Sequence, residues 1–338
     1  MKKSALLIAV FMACIAQELI GQNLIAVQNG GAPSFYTILD TALLQAQNGD
    51  TVYLPGGTLT CGTITVNKAL RIFGMGINGD SSVATKTTQI NGSLYLDIEA
   101  GGSSLTGFSL NGLSLNFSAS DIHVSRCGIG SLTINAGTAP PSTNNVFYEN
   151  TIGSINGSYA QGNTFFNNII SYFMSNLGPN NLFRNNIFQL AYPWFCGNEN
   201  YGHFVRFSSS FFENNIFLHN SVSWCPLMCS SDNCNFRNNI FIDDLDVDNL
   251  CPDCHAFDNF VNQQSSTVFI EGTYHLQPTC PGKNTGTDGT DIGIYGGLHP
   301  WKDGSIPANP HIQFKNIDNS TDLNGNINVN IKVAAQDR

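Results

Sequence analysis

Two residues on one predicted loop could take part in proton transfer. His203 and Arg206 lie three positions apart in an insertion between repeated segments of the chain. One could act as a general base while the other stabilises the negative charge that develops as a proton is removed. Basic residues are few and mostly scattered, so His203 and Arg206 are the only catalytic candidates. A protein without catalytic activity is the first interpretation.

An acidic run could bind a cation. Asp244, Asp246 and Asp248 alternate along the chain, so on a strand all three side chains face the same side. Adjacent carboxylates repel unless a cation such as Ca²⁺ bridges them, and Asp243 and Asn249 would add oxygen ligands. The run therefore predicts a metal site formed by Asp244, Asp246 and Asp248, with Ca²⁺ as the cofactor. A solvated acidic turn is the alternative.

Aromatic side chains on the inserted segments could bind carbohydrate. Insertions in a repeat protein map to one face, which is often the binding face, and aromatic rings there can stack on sugar rings. The same rings could instead pack the inserted loops onto the body of the protein, and the sequence leaves both interpretations open. A polysaccharide or a cell-surface glycan is the expected partner. The candidate binding residues are Tyr192, Trp194, Tyr201 and Trp224.

Cysteines are concentrated in the second half of the chain, which has ten in all. Cys251-Pro-Asp-Cys254-His255 has the spacing of a zinc knuckle. In an exported chain, disulfides that staple the long insertions are the preferred interpretation. Further cysteines that could complete a metal site are Cys225, Cys229 and Cys234.

Five segments of similar sequence indicate a repeat architecture. Their leading phenylalanines recur at offsets of 18, 18, 29 and 24 residues. A roughly constant period with tolerated insertions is typical of a solenoid. Each unit is too short for a helix pair and is rich in aromatic and β-branched residues, which predicts the stacked strands of a parallel β-helix. The segments are Phe147–Ile152, Phe165–Ile170, Phe183–Phe188, Phe212–Phe217 and Phe236–Phe241.

Each position of the repeat predicts a direction for its side chain. The leading Phe and the closing Ile or Phe are expected to point inward and to stack on their equivalents one coil away, about 4.8 Å along the axis. The fourth position is Asn in all five repeats. An Asn column can form a hydrogen-bonded ladder, and Asn tolerates the left-handed backbone of a turn. The second position is expected to point outward, where Arg184, Glu213 and Arg237 would form a surface ladder of alternating charge.

The ends of the predicted solenoid require covering elements. An amphipathic helix over residues 34–47, with Ser34 as its N-cap and Gly49 just beyond its C-terminus, is suited to cap the first coil. The tail segments His311–Phe314 and Ile327–Val333 alternate with a period of two. They predict a β-hairpin that closes the C-terminal end.

The first residues have the pattern of a secretory signal peptide. Lys2 and Lys3 precede an apolar run over residues 5–16 that is too short to span a bilayer, and cleavage is expected after Gly21, with Ala16 as the alternative position. A lipoprotein signal ending at Cys14 is the alternative. The chain is therefore expected to be secreted or exposed at the cell surface, and the periplasm is a further expected location.

Composition restricts the class of partner. Charged residues make up 11% of the chain, hydrophobic residues 42%, and the net charge is −10 at pH 7. This balance argues against disorder, which requires few apolar residues and a high charge. Without a run of Lys or Arg, nucleic acid and anionic membrane surfaces are not expected partners. A monomer without a transmembrane segment is predicted.

Several segments resemble a known superfamily. Gly49–Pro55 and Leu70–Gly76 resemble the N-terminal cap and first coils of the pectate-lyase-like superfamily, and the five repeats resemble its parallel β-helix repeats. Thr287–Gly297 resembles the end of uncharacterised secreted β-helix proteins of Gram-negative bacteria. The resemblance implies an all-β, right-handed parallel β-helix, in a superfamily that includes lyases, hydrolases, epimerases and proteins without enzymatic activity.

The resemblance does not extend to catalytic motifs. Polygalacturonases of the superfamily share Asn-Thr-Asp, Asp-Asp, Gly-His-Gly and Arg-Ile-Lys segments, and this chain has only Asp243-Asp244. The predicted organisation is a signal peptide over 1–21, a solenoid over 22–298 and a closing segment over 299–338. A non-catalytic scaffold that binds polysaccharide or mediates adhesion is the first functional prediction. A carbohydrate-active enzyme such as a polysaccharide lyase is the alternative.

Overall fold

The chain forms a right-handed parallel β-helix, as the repeats predicted. The structure, a computed structural model, describes residues 24–116, 118–135, 140–189, 204–218, 227–242, 250–307 and 310–335. Each coil contributes a short strand to one sheet, makes a tight turn, and contributes a second strand to another sheet. Alternate side chains of these strands point inward, so the apolar positions of successive coils form a continuous core.

The first sheet runs the length of the solenoid. Its strands are β2 (Ser34–Tyr36), β1 (Ile25–Gln28), β3 (Thr51–Tyr53), β5 (Arg71–Phe73), β7 (Ser104–Thr106), β9 (His123–Ser125), β11 (Val146–Tyr148), β13 (Thr164–Phe166), β16 (Leu182–Arg184), β19 (Phe211–Glu213), β22 (Asn235–Arg237) and β24 (His255–Phe257), in spatial order. From β3 onward, neighbouring strands are parallel.

The second sheet forms the opposite wall. Its strands in spatial order are β4 (Gly57–Val66), β6 (Thr88–Leu96), β8 (Ser109–Leu115), β10 (Gly128–Asn135), β12 (Thr151–Ala160), β14 (Ile169–Ile170), β17 (Ile187–Phe188), β20 (Ile216–Leu218), β23 (Ile240–Ile242) and β25 (Phe260–Gln263). Three further strands continue from β12 on a third side, namely β15 (Met174–Leu177), β18 (Phe204–Val205) and β21 (Met228–Cys229).

The leading phenylalanines of the repeats form one stack inside the solenoid. Consecutive ring centroids in this stack lie 4.9, 4.7, 4.9 and 4.6 Å apart, with interplanar angles of 10° or less. A second stack joins Phe188, Phe217 and Phe241, the closing residues of three repeats, at 4.7 and 4.6 Å. All of these rings are buried. The inward direction of the first and last repeat positions is confirmed.

The predicted Asn ladder is present, but a different residue adopts the left-handed backbone. Each fourth-position Asn donates from Nδ2 to Oδ1 of the next one, at 3.0 Å in every step from Asn150 to Asn259. The third-position residue, not the fourth, has a positive φ, between 52° and 57° from Glu149 to Asn238. The tight turn places the third residue at its corner and directs the fourth side chain inward, where it satisfies buried backbone groups.

A second ladder lies at the turn that precedes the first sheet. The side chains of Asn145, Asn163 and Asn181 form it, with Nδ2-to-Oδ1 distances of 2.9 and 3.2 Å. Ser210, Cys234 and Cys254 occupy the same column in the later coils, because each immediately precedes a first-sheet strand. This ladder was not predicted from the sequence, because its residues stand outside the repeated segments.

The N-terminal helix is shorter than predicted. Helix α1 spans Leu39–Gln45, whereas Ser34 belongs to β2, which pairs antiparallel with β1. The helix starts after Ile38, which is 60% exposed and makes no capping hydrogen bond, so Ser34 is not the N-cap. Strand β2 forms because it pairs with the backbone of β1. Leu39, Ala42 and Leu43 are nevertheless buried, and α1 packs against β1, β2 and β4 to cover the first coil as predicted.

The chain returns along the outside of the solenoid after its last coil. We call residues 282–307 the strap. The left-handed asparagines hold its backbone: Asn167 donates to the carbonyls of Ile294 and Gly296 at 2.8 and 2.7 Å, and Asn185 donates to those of Asp291 and Gly293 at 3.1 Å each. The contact is close, since a Cβ on Gly293 (φ 89°) would stand 2.6 Å from Ile216 Cδ1.

The C-terminal hairpin lies beside an early coil. Strands β26 (His311–Ile317) and β27 (Val329–Ala334) pair antiparallel, so the hairpin itself is confirmed. His311 Nε2 lies 3.2 Å from the Ser81 carbonyl oxygen, and the Ala84 amide donates to the Gln313 carbonyl. The hairpin therefore does not close the end formed by β24 and β25. The strap carries the chain back past the coils before the hairpin begins, and this reversal is not visible in the sequence.

Candidate functional site

Most of the predicted site residues lie outside the part of the chain that the structure describes. This applies to the proposed carbohydrate-binding aromatics, to the acidic run and to one catalytic candidate, namely Tyr192, Trp194, Tyr201, Trp224, Asp244, Asp246, Asp248 and His203. The other catalytic candidate, Arg206, follows β18 on the third side of the solenoid and is exposed, with a φ of 58°. These assignments stay predictions.

A groove lies on the outer face of the first sheet in the first coils. The middle residue of each three-residue strand is buried, so the first and third residues point outward and form two parallel columns. The groove spans β3 to β11, about 19 Å at the usual strand spacing. It encloses about 460 Å³ and is lined by Thr51, Tyr53, Arg71, Phe73, Ser104, Thr106, His123, Ser125, Arg126 and Tyr148.

Aromatic rings mark both ends of the groove. Tyr53 and Phe73 are register neighbours whose ring centroids lie 5.9 Å apart with an interplanar angle of 22°. Tyr148 occupies the same column three strands beyond Phe73. Between the rings, the column consists of Thr106 and Ser125, whose hydroxyls are hydrogen-bonded at 2.9 Å. The floor is thus polar in the middle and apolar at its ends.

Basic side chains lie in the groove, and none of its ten lining residues is acidic. Arg71 and His123 are exposed and point outward from the first column, two strands apart. Arg126 is buried, and its Nε lies 3.0 Å from Glu149 Oε2. Its Nη1 donates to the Ile306 carbonyl of the strap at 3.0 Å. Because Glu149 neutralises Arg126, the exposed positive charge of this groove comes from Arg71, in a chain of net charge −10.

A histidine from the strap stands beside the groove. The His299 ring lies 4.6 Å from the Tyr148 ring and 5.9 Å from the Phe166 ring, between centroids. Burial lowers the pKa of the His299 imidazole below its usual value. The Glu149 carboxylate opposes this shift, and the cations Lys302 and Arg126 add to it. His299 is therefore neutral at pH 7 and able to accept a proton.

The outward charged residues of the later coils do not form one continuous ladder of ion pairs. Arg184 forms an ion pair with Glu213, from Nε to Oε2 at 2.9 Å. Arg237, one coil further, lies with its guanidinium 5.8 Å from the centroid of the Phe257 ring. The first interaction is a surface ion pair and the second is a cation–π contact. Each contributes about 1 kcal/mol or less to the stability of the fold where it is exposed.

Two other cavities lack this combination of side chains. A cavity of about 830 Å³ lies beside helix α2 (Ser265–Val268) and is lined by Phe269, Tyr274 and Glu271 among others, with no cationic residue in its lining. Another cavity, of about 340 Å³, lies on the outer face of the second sheet and is lined mainly by glycine, serine and isoleucine residues. The groove on the first sheet is the better candidate for an extended ligand.

Three cysteines converge at the last coil. The sulfur atoms of Cys234, Cys251 and Cys254 lie within 4.8 Å of one another, and Cys251 and Cys254 are at disulfide distance. His255 points outward from β24 and is exposed, so it does not join the sulfurs as the zinc-knuckle spacing suggested. Elsewhere, burial raises the pKa of the Cys127 thiol to about 12, which makes it unreactive.

The groove residues were not identified as a site from the sequence. Tyr53, Arg71 and Phe73 stand in the segments that carry the superfamily resemblance, but nothing in their spacing shows that they meet. Their strands are 20 residues apart, and the next strand starts 33 residues later. The early coils lack the repeated Phe-x-Asn-Asn-Ile segment. Aligning their three-residue strands in register is the step that could have identified these residues.

Comparisons with known proteins yield little. No family model matches the chain, and no curated protein matches it. One solved structure, of a mutant of the PL6 family alginate lyase AlyGC, matches with a TM-score of 0.28 and 12% sequence identity, over 84% of this chain. The match spans 58% of the lyase chain. No helix among the described residues is long and apolar enough to cross a membrane. The chain is a parallel β-helix protein, the fold that its sequence resemblance to the pectate-lyase-like superfamily implied.

Proposed function

We propose that the protein binds an extended, negatively charged polysaccharide in the groove on its first sheet. The observation that carries this proposal is the row of outward aromatic and polar side chains, with the exposed Arg71 among them, along about 19 Å of regular sheet. Tyr53, Phe73 and Tyr148 offer flat apolar surfaces for sugar rings. Arg71 offers a planar, charged donor suited to a sugar carboxylate or sulfate. We further propose that the chain acts outside the cytoplasm, as its predicted signal peptide implies.

Binding should depend on the groove and not on the rest of the sheet. Arg71→Gln removes a charge-assisted hydrogen bond of about 1.5–3 kcal/mol, so we expect affinity for a polyuronate to fall about tenfold or more. Phe73→Ala should weaken binding to acidic and neutral glycans alike, because it removes stacking surface. Calorimetric titration with polyuronates and neutral glycans, with and without Ca²⁺, measures both effects.

The matched controls are Arg237→Gln and Phe257→Ala. These residues lie on the same face of the same sheet but outside the groove, and they also form a cation–aromatic pair. They should leave affinity unchanged. Equal losses in the control and groove variants, or no retention of wild type by any polysaccharide, would contradict the proposal.

A second candidate function, polysaccharide lyase activity, is favoured by one observation. His299 is a neutral imidazole beside Tyr148, with Arg126 and Lys302 close enough to influence its pKa. Such a group can accept the α-proton of a uronate while a nearby cation stabilises the developing charge. Incubation with polyuronates should then release unsaturated products that absorb in the ultraviolet, and His299→Ala should abolish release while retaining binding. A wild type that binds without forming product supports the non-catalytic function alone.

A further inference from the structure

Two residues of the cysteine cluster occupy the end of the column that begins with Asn145 and passes through Ser210. Asn145, Asn163 and Asn181 fill this column in earlier coils, and each amide both donates and accepts. An asparagine side chain offers two donors and one strong acceptor, whereas a thiol is a weak donor and a weak acceptor. Cys234 and Cys254 therefore make fewer and weaker hydrogen bonds in this column than the asparagines of the earlier coils.

The cluster has the arrangement of a thiolate ligand set. Cys234 is buried, while Cys251 and Cys254 are partly exposed, so the cluster joins the core to the solvent. In a tetrahedral zinc site with Zn–S bonds of 2.3 Å, sulfur atoms stand about 3.8 Å apart. The three sulfurs here lie within 4.8 Å of one another, and Cys251 and Cys254, which are at disulfide distance, reach this spacing once they are reduced and separate.

A backbone donor already points at one of the sulfurs. The Cys234 amide donates to Cys254 Sγ at 3.2 Å, in the place where the Asn145 amide donates to Asn163 Oδ1. Hydrogen bonds of this kind to a metal-bound thiolate are a usual feature of the surroundings of thiolate metal sites. The bond retains one contact of the ladder and fixes the direction of the Cys254 side chain.

We propose that Cys234, Cys251 and Cys254, when reduced, form a binding site for a soft divalent cation such as Zn²⁺. Each thiol loses one proton on binding, so three thiolates and one M²⁺ give a site of net charge −1, with the fourth position open to water. The ion would join two consecutive coils through Cys234 and Cys254, and the 250–254 turn through Cys251. It would thereby stabilise the terminal coil, where strand pairing ends. Oxidation to the Cys251–Cys254 disulfide would remove two of the three ligands.

The test uses the full chain, reduced with a phosphine under anaerobic conditions and titrated with Co²⁺. We expect sulfur-to-cobalt charge-transfer absorption that saturates at one ion per chain and is displaced by Zn²⁺. Loss of a residue that only hydrogen-bonds to a metal ligand usually lowers metal affinity by roughly tenfold to hundredfold. Cys251→Ser and Cys234→Ser remove a ligand itself, so each should lower the affinity by more than that. Cys234→Asn restores the residue of the earlier coils, so it should fold normally, confirmed by circular dichroism, and still bind weakly.

Cys127→Ser is the control, because Cys127 is a buried thiol outside the cluster. It should leave the cobalt spectrum and its stoichiometry unchanged. Zn²⁺ should also raise the melting temperature of the reduced wild type and not that of Cys234→Asn. Absence of charge-transfer absorption in the reduced wild type, or an equal loss in Cys127→Ser, would overturn the proposal and leave a disulfide as the role of Cys251 and Cys254.

Discussion

Phe183→Ala should destabilise the protein by about 3–5 kcal/mol, the usual cost of removing a buried phenylalanine ring. Phe183 stands in the middle of the inner stack, with ring centroids of Phe165 and Phe212 at 4.7 and 4.9 Å. Phe188 and Phe207 approach it from the side, both at 6.1 Å. The coils above and below are fixed by the Asn ladder, so the cavity cannot collapse. Equilibrium urea denaturation, followed by circular dichroism, measures the loss.

Two variants serve as controls for this prediction. Phe211→Ala removes a ring of the same size from the adjacent coil, but Phe211 is 45% exposed, and its loss should cost about 1 kcal/mol or less. Phe183→Leu keeps most of the volume and should cost under about 1.5 kcal/mol. If Phe183→Ala cost no more than Phe211→Ala, the stacked core would not carry the stability assigned to it.

Glu149→Gln should also cost about 3–5 kcal/mol, because it breaks a buried ion pair by removing the carboxylate that lies 3.0 Å from the Arg126 guanidinium. Only 4% of the Arg126 side chain and 3% of the Glu149 side chain are accessible. Arg126 also donates to the Ile306 carbonyl, so the pair connects two coils to the end of the strap. We expect faster hydrogen exchange in residues 298–307 of the variant, together with reduced stability to urea.

The double variant Arg126→Gln with Glu149→Gln tests the cause of that loss. It removes both charges and keeps polar side chains, so it should be more stable than Glu149→Gln alone. Lys283→Gln is the control, since Lys283 pairs with Asp291 in the same strap but is 39% exposed, and its loss should cost about 1 kcal/mol or less. A Glu149→Gln variant as mild as this control would show that the buried pair is not a structural connection.

The repeated segments predicted the architecture because one pattern is imposed on every coil. The Phe at position one must point inward, and the Asn at position four must hydrogen-bond to the next coil. These two requirements leave few alternatives to stacked parallel strands. The ladder and the inner stack therefore followed from five short segments. The left-handed corner was assigned to the wrong Asn, because two adjacent asparagines both suit a turn and only backbone geometry separates them.

Features that depend on contacts between distant segments were not predictable. The strap reaches Asn167 from residues more than 120 positions away, and Arg126 meets Ile306 across 180 positions. Helix α1 lost its first turn to β2, because pairing with β1 satisfied more backbone groups than an isolated helical turn does. The groove residues come from five coils and share no motif, so only the register of the sheet brings them together.

The sequence by itself determined the coil, because side-chain direction in a strand and hydrogen bonding in an Asn column are local properties that repeat with the chain. Tertiary structure alone decided where the strap and hairpin return, which outward side chains form the groove, and which cysteines converge. These outcomes depend on insertion lengths that set how coils align, and a small change in alignment moves a side chain to another column or to the opposite face.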